Sequence, residues 1–232
     1  MTTPASISRL AYYYTRHGLG ATIRRIALAV KRALFSNRMV LFYCELSAQT
    51  SGPADSPSSL KVERKRSDAE LTREELQEII NVSNPKLEYR NMKERFGQGA
   101  SLWLIRSEDR LAGYRWSLQG RTIEPHYFPL GPEDVHIFDG HIFPENRGRG
   151  LSPFLTIHIL RSLVTESKGR AFQEVAEWNQ AQLSSVRKTP FRRLGRARKW
   201  TIFGHTIVCW AGNDSARGVR EDAQSTARSK RD

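Results

Sequence analysis

The sequence predicts an α/β fold whose mixed central sheet is antiparallel in its first half and parallel across one crossover helix. Three observations carry that expectation. Short apolar runs at 39–46, 60–64, 101–106 and 111–118 are separated by turn signals, as in an antiparallel meander. The apolar run 135–143 then passes directly into a glycine-containing loop and a helical repeat, the strand, loop and helix order of a crossover. A further strand at 172–178 follows that helix, where a parallel neighbour is expected.

Near the N-terminus, Leu19, Ile23, Ile26, Ala27, Val30, Ala33 and Leu34 recur at three- and four-residue spacing, which predicts an amphipathic helix. Arg24, Arg25, Lys31 and Arg32 fall mainly off that stripe, and Tyr12, Tyr13, Tyr14 and Phe35 flank it. Such a helix either packs its stripe on the protein or lies on an anionic membrane surface through residues 19–35. After the first strand, residues 47–59 are rich in Ser, Pro and Gly and read as a loop. Thr72 followed by Glu75 forms a capping-box signature for a helix start, and a short helix is expected over 89–96. Glu108 and Asp109 mark a hairpin turn between the third and fourth runs. A helix over 180–188 and a final hairpin of 199–203 and 206–210 across Gly204 complete the order, with a polar tail over 211–232 expected to be disordered.

Composition bounds the class. A chain of 232 residues, 39% hydrophobic, supports one core. Cys44 and Cys209 sit in apolar runs, which suggests neither a disulfide framework nor a metal site, so no metal is expected. No apolar stretch is long enough to span a bilayer, and arginines interrupt the N-terminal apolar residues, which argues against a signal peptide. A reducing, cytoplasmic location is expected, with membrane association left open. The net charge of +13 is concentrated in two acid-free segments. One holds Arg9, Arg16, Arg24, Arg25, Lys31, Arg32 and Arg38; the other holds Arg187, Lys188, Arg192, Arg193, Arg196, Arg198 and Lys199.

The most informative segment is Pro144-Glu145-Asn146-Arg147-Gly148-Arg149-Gly150-Leu151-Ser152-Pro153. The first turn of a helix has backbone N–H groups with no intrahelical partner, and its dipole places partial positive charge there, so an anion fits at such a start. Gly148 and Gly150 remove β-carbons from the approach, and Arg147 and Arg149 add charge. Ser152 is the expected N-cap and Pro153 the expected first helical residue.

This segment resembles the R/Q-x-x-G-x-G/A pyrophosphate loop of the GNAT-type N-acetyltransferase superfamily. Downstream, the stretch from Asn179 to Phe191 resembles that superfamily's N-x-x-S-x-x-x-Y-x-K-x-G-F segment, with Asn179, Lys188 and Phe191 in register. Three positions depart: Ser152 replaces a Gly or Ala, Pro190 a Gly, and Val186 the Tyr that commonly protonates the departing thiolate. The resemblance implies a GNAT-like fold over 39–210, with splayed strands either side of the crossover helix and residues 1–38 as a basic helical appendage. It implies acetyl-CoA, or another acyl-CoA, as co-substrate, with acyl transfer to a primary amine by direct attack in a ternary complex. The cofactor would meet Arg147, Gly148, Arg149, Gly150, Leu151 and Ser152, with Asn179 and Lys188 beyond. A backbone amide at Ile142 or Phe143 would polarise the thioester carbonyl.

A base must take the proton of the attacking ammonium. Asp139, His141 and Glu177 are the candidates, each with a plain structural alternative: a turn former, a core histidine and an ion-pair partner. Strand alternation places Asp139, His141 and Phe143 on one face and His136, Phe138 and Ile142 on the other. Gly140 in mid-strand reads as a bulge that assists the splaying. Ser184, Ser185 or water would replace the missing tyrosine. The acceptor is a small-molecule amine, with a glycan or lipid precursor among the options. The loop 121–132, including Pro125-His126-Tyr127-Phe128-Pro129, would help shape its pocket. A basic protein without catalysis, bound to nucleic acid or to a membrane surface, is the alternative; nucleic acid is disfavoured because neither segment carries a recognition motif.

Overall fold

The structure, a computed structural model, describes residues 5–35, 38–46, 59–124, 126–166, 169–202 and 205–211, without the side chains of 5–11, 28–35, 201, 202 and 205. The loop expected over 47–59 (except Ser59), the turn at Gly204 and tail residues 212–232 lie outside them.

Thirteen principal elements follow in chain order: α1 (Ala5–Phe35), β1 (Met39–Glu45), β2 (Leu60–Lys65), α2 (Arg73–Ile80), α3 (Pro85–Gly97), β3 (Ser101–Ser107), β4 (Arg110–Gln119), β5 (Val135–Ile142), α4 (Leu151–Val164), β6 (Arg170–Ala176), α5 (Gln180–Val186), β7 (Arg192–Ile202) and β8 (His205–Ala211). The eight strands form one sheet in the order β2-β3-β4-β5-β6-β1-β7-β8. β5 and β6 are parallel and joined through α4; the other neighbouring pairs are antiparallel.

β1, the strand before β2 in sequence, therefore does not pair with it. β1 inserts between β6 and β7, and its composition explains the choice. Val40, Leu41, Phe42 and Cys44 are all buried, so both faces of β1 are apolar, as a central strand requires. β2, Leu-Lys-Val-Glu-Arg-Lys, has the charged character of an edge. On one side of the sheet, α4 buries Leu151, Leu155, Ile159, Leu160 and Leu163 against Val40, Phe42, Val135, Ile137 and Val175. Each such side chain contributes roughly 1.5–3 kcal/mol. On the other side, Ile79 of α2 and Met92 of α3 cover Leu102, Leu104, Tyr114, Trp116 and Phe143. Tyr127 and Phe128 from the β4–β5 loop pack on Leu41, Phe172 and Leu194.

Local signals fix several boundaries. Thr72 and Glu75 make the expected reciprocal capping box on α2. Glu108 and Asp109 both adopt positive φ (53° and 62°), the geometry of a tight hairpin turn between β3 and β4. Two expectations need correcting. The second short helix begins at Pro85, capped by Asn84, rather than at residue 89. α1 begins by Ala5 and is broken at Gly18 (φ 76°, ψ 177°), and the described part of its apolar stripe does not pack: Leu19 is 62% exposed and Ile23 57%. Among the described side chains of that helix, Thr22 is buried and Tyr12, Tyr13 and Ala21 are partly covered.

Candidate active site

The site begins where two strands part. β5 and β6 pair only at Val135↔Ala171 and His136↔Phe172, although both continue. The remaining length of β5 pairs with β4 alone. There, Asp139 and Gly140 together oppose the single residue Arg115, so the expected bulge is present, with Asp139 at φ 42°. The bulge leaves no room over Gly140: an added Cβ would lie 2.4 Å from Arg115 Nε.

The bulge also corrects the expected alternation. Ile142 packs in the cluster under α4, whereas Phe138 packs with the cluster under α2 and α3, so the two do not share a face. His141 stacks on Tyr114, with ring centroids 5.9 Å apart. Phe143 is buried, and its N–H donates to Ala112 O at 3.0 Å, so it has no amide to offer a thioester. Backbone groups alternate sides along a strand, so the amide of Ile142 points into the gap left by β6. Its carbonyl does the same, because Arg147 Nε reaches it there at 3.0 Å.

Beyond the gap lies the glycine loop. Helix α4 starts earlier than expected: Leu151 is its first residue and Gly150, at φ 74° and ψ 8°, its N-cap. A left-handed residue at the cap suits glycine, and the buried Leu151 side chain anchors the start, so the Ser-Pro pair falls inside the first turn. Gly148 is left-handed too (φ 78°), and an added Cβ at either glycine would meet open space, so these positions leave the approach to the backbone clear. The Arg147 amide donates to Pro144 O at 3.3 Å. Among the described residues, the amides of Gly148, Arg149, Gly150, Leu151 and Ser152 donate to no backbone carbonyl.

These amides border a groove of about 560 Å³ that runs from the loop, past the gap, to α5. Of the residues expected to hold a cofactor, Ile142, Arg147, Gly148, Gly150, Leu151, Ser152, Asn179 and Lys188 line it; Arg149 and Phe143 do not. Asn179 caps α5, its Oδ1 accepting from the Gln182 amide at 3.2 Å. The Ser185 hydroxyl donates to Ser152 Oγ at 3.0 Å and ties α5 to the loop. From the second basic segment only Lys188 reaches this groove; most of its other cations lie on β7.

A second cavity, about 350 Å³, opens on the α3 side of the same gap. It is walled by Tyr12, Tyr13, Arg16, His17 and Arg25 of α1, by Ser83, Asn84 and Glu88, and by Asp139 and His141. Tyr114 and His141 line both cavities and form the partition between them. Burial, then the neighbouring Arg147, push the His141 imidazole below its usual 6.5, partly offset by Asp139 and Glu145. Asp139 is ion-paired with Arg95 at 2.5 Å. Glu177 lines neither cavity; it pairs with Arg196 at 3.1 Å, outside the group formed by Asp139 and His141.

Two residues were missed. Arg115, 5% exposed, hydrogen-bonds to Thr156 and Ser152 of α4 and lines the first groove; burial lowers its pKa to about 10. Tyr114 has no hydrogen-bond partner among the described residues, and burial, followed by Asp139 and Glu88, raises its pKa so that the phenol stays protonated. An arginine and a tyrosine inside an otherwise apolar strand were the available signal. Val186, where the superfamily commonly has tyrosine, is buried in the core.

No family model matches the sequence, and no curated protein matches it. Solved structures do share its architecture. A tandem GNAT protein from the clavulanic acid biosynthesis pathway has a TM-score of 0.50 at 14% identity, over 81% of this chain and 59% of that one. An acetyltransferase of the GNAT family from Colwellia psychrerythraea has a TM-score of 0.50 at 9% identity, over 75% of this chain and 55% of that one. The chain thus spans less than two thirds of each of these proteins. At such identities the likeness establishes the fold, and the chain has a GNAT-like fold.

Proposed function

We propose that the protein is an acyl-CoA-dependent N-acyltransferase, with acetyl-CoA as donor and a small-molecule primary amine as acceptor. The observation that carries this reading is the run of unpaired amides from Gly148 to Ser152 at one end of a groove whose other wall is an unzipped strand edge. A diphosphate on those amides would be held by a helix start and by Arg147. The thioester would reach the gap, where the Ile142 amide polarises its carbonyl.

The amine enters from the α3 side, where Asp139 and His141 stand. The unprotonated imidazole of His141, directly or through water, takes the ammonium proton; Asp139 attracts the ammonium. The amine nitrogen then bonds to the thioester carbon, and the tetrahedral intermediate collapses with cleavage of the C–S bond. Tyr114, at the partition, supplies a proton to the leaving thiolate, the role for which Val186 has no chemistry. Arg16 and Arg25 have no carboxylate partner among the described residues, which favours an acceptor carrying negative charge. The experiment is a thiol-release screen with acetyl-CoA against neutral, cationic and phosphorylated amines, beside Gly150→Glu. Turnover in the wild type and loss on the order of 100-fold in the variant are expected, because like-charge contact costs several kcal/mol and each 1.4 kcal/mol is tenfold. Equal turnover removes the loop from the mechanism.

The exposed Leu19, Ile23 and Ile26 beside Arg24 and Arg25 support a second reading for α1, contact with an anionic membrane. It requires co-sedimentation with phosphatidylserine vesicles that Ile23→Glu abolishes; unchanged sedimentation rejects it. No helix among the described residues is long and apolar enough to cross a membrane.

A further inference from the structure

Away from both cavities of the acyl-transfer site, the β4–β5 loop folds over the last paired rung of β5 and β6. It brings His126 against His136 of β5 and Glu174 of β6, with one donor atom from each lying within 4.8 Å of the others. His136 Nε2 is 2.8 Å from Glu174 Oε2, and the His126 and His136 ring centroids are 5.0 Å apart. Among the described residues, His126 Nε2 and His136 Nδ1 are both buried with no hydrogen-bond partner. Buried polar atoms are nearly always satisfied, so two orphaned imidazole nitrogens in one cluster call for an explanation. A histidine–glutamate hydrogen bond accounts for Nε2 of His136 and for the carboxylate, and leaves His126 unexplained.

We propose that His126, His136 and Glu174 form a binding site for a divalent transition metal of the zinc class. The donor set is two imidazoles and one carboxylate, which suits zinc; calcium and magnesium take oxygen ligands almost exclusively. Zinc bonds of 2.0–2.2 Å place tetrahedral donors about 3.4 Å apart, so from 4.8 Å the cluster needs a contraction of about 1.4 Å at its widest. His126 is the member able to make it, because it sits on a loop and the other two on neighbouring strands. His126 also lines, with Thr122, Tyr127 and Phe128, a cavity of about 360 Å³ beside the cluster. Lys199, 5.2 Å above the Tyr127 ring, is the cation nearby; the Glu174 carboxylate opposes it.

The consequence is mechanical. His136↔Phe172 is the last pairing before β5 and β6 diverge. A metal there would clamp the loop 121–132 onto the base of the splay and hold that separation in place.

The test uses the full chain, stripped with a chelator and titrated with zinc chloride in calorimetry and thermal unfolding. One equivalent of zinc and an unfolding midpoint that climbs with zinc concentration are expected for the wild type. His126→Ala and Glu174→Gln should each lose the binding and the climb. Should Glu174→Gln fail to fold, His126→Ala decides alone, its metal-free unfolding midpoint reporting an intact fold. Equal zinc binding by wild type and His126→Ala, or no stoichiometric binding by the wild type, overturns the proposal. Neither readout involves an acyl donor, so the outcome is independent of the reaction assigned above.

Discussion

Strand β6 has two very different edges. Toward β1 it pairs along its whole length, Met39↔Ala176 through Glu45↔Arg170; toward β5 it pairs at two rungs and then parts. The paired edge spends its hydrogen-bonding groups on the fold. The parted edge leaves backbone donors and acceptors of β5 without a strand partner, in a gap bounded by a helix start that has donors to spare. One strand thus has one edge committed to the fold and one edge left open, and the bulge at Asp139–Gly140 marks the change on the facing strand.

The contrast can be broken at chosen points. Gly140→Val should drive the Arg115 guanidinium from Thr156 and Ser152 and shift the bulge, lowering kcat on the order of 10- to 100-fold, since a displacement of about 1 Å at a reacting centre can cost 100-fold. An unchanged kcat in steady-state assays would show that the bulge is not part of the machinery. Tyr114→Phe should lower kcat about tenfold at unchanged KM for acetyl-CoA, less than a full general-acid effect because a thiolate leaves readily. A loss in KM alone would assign Tyr114 to binding.

A third prediction concerns pH. His141 has its pKa lowered, and with its unprotonated form as the proposed base, kcat/KM should rise with pH through an apparent value below 6.5 and then level off. That acid limb should vanish in His141→Gln; its persistence would pass the role to Asp139 or to solvent. On the paired edge, Leu41→Ala should cost about 2–5 kcal/mol of stability in denaturant titration while leaving the acetyl-CoA affinity of the folded protein unchanged. A matching loss of affinity would mean that the two edges are coupled.

The parts of this site that depend on local sequence were legible. A strand, two glycines and a helical repeat announce a glycine loop at a helix start, and Gly140 in an apolar run announces a bulge. The helix start was displaced because the Ser-Pro preference is weak beside a left-handed glycine and a buried Leu151. The place of β1 was not readable from order along the chain, since its partners lie well over 100 residues away in sequence; only its two apolar faces pointed to a central position. Arg115 and Tyr114 escaped because their roles arise from what the bulge and α4 bring to them. Glu177 looked suitable beside Asn179, yet it is ion-paired with Arg196 of β7, across the intervening β1.

The central claim is that the Gly148–Ser152 amides grip a diphosphate, and amide hydrogen exchange with and without coenzyme A tests it residue by residue. The expected result is fast exchange at these five amides in the free protein, strong protection when coenzyme A is added, and no change at Phe143, whose amide is already bonded to Ala112. Exchange at the five that is unaltered by saturating coenzyme A would contradict it.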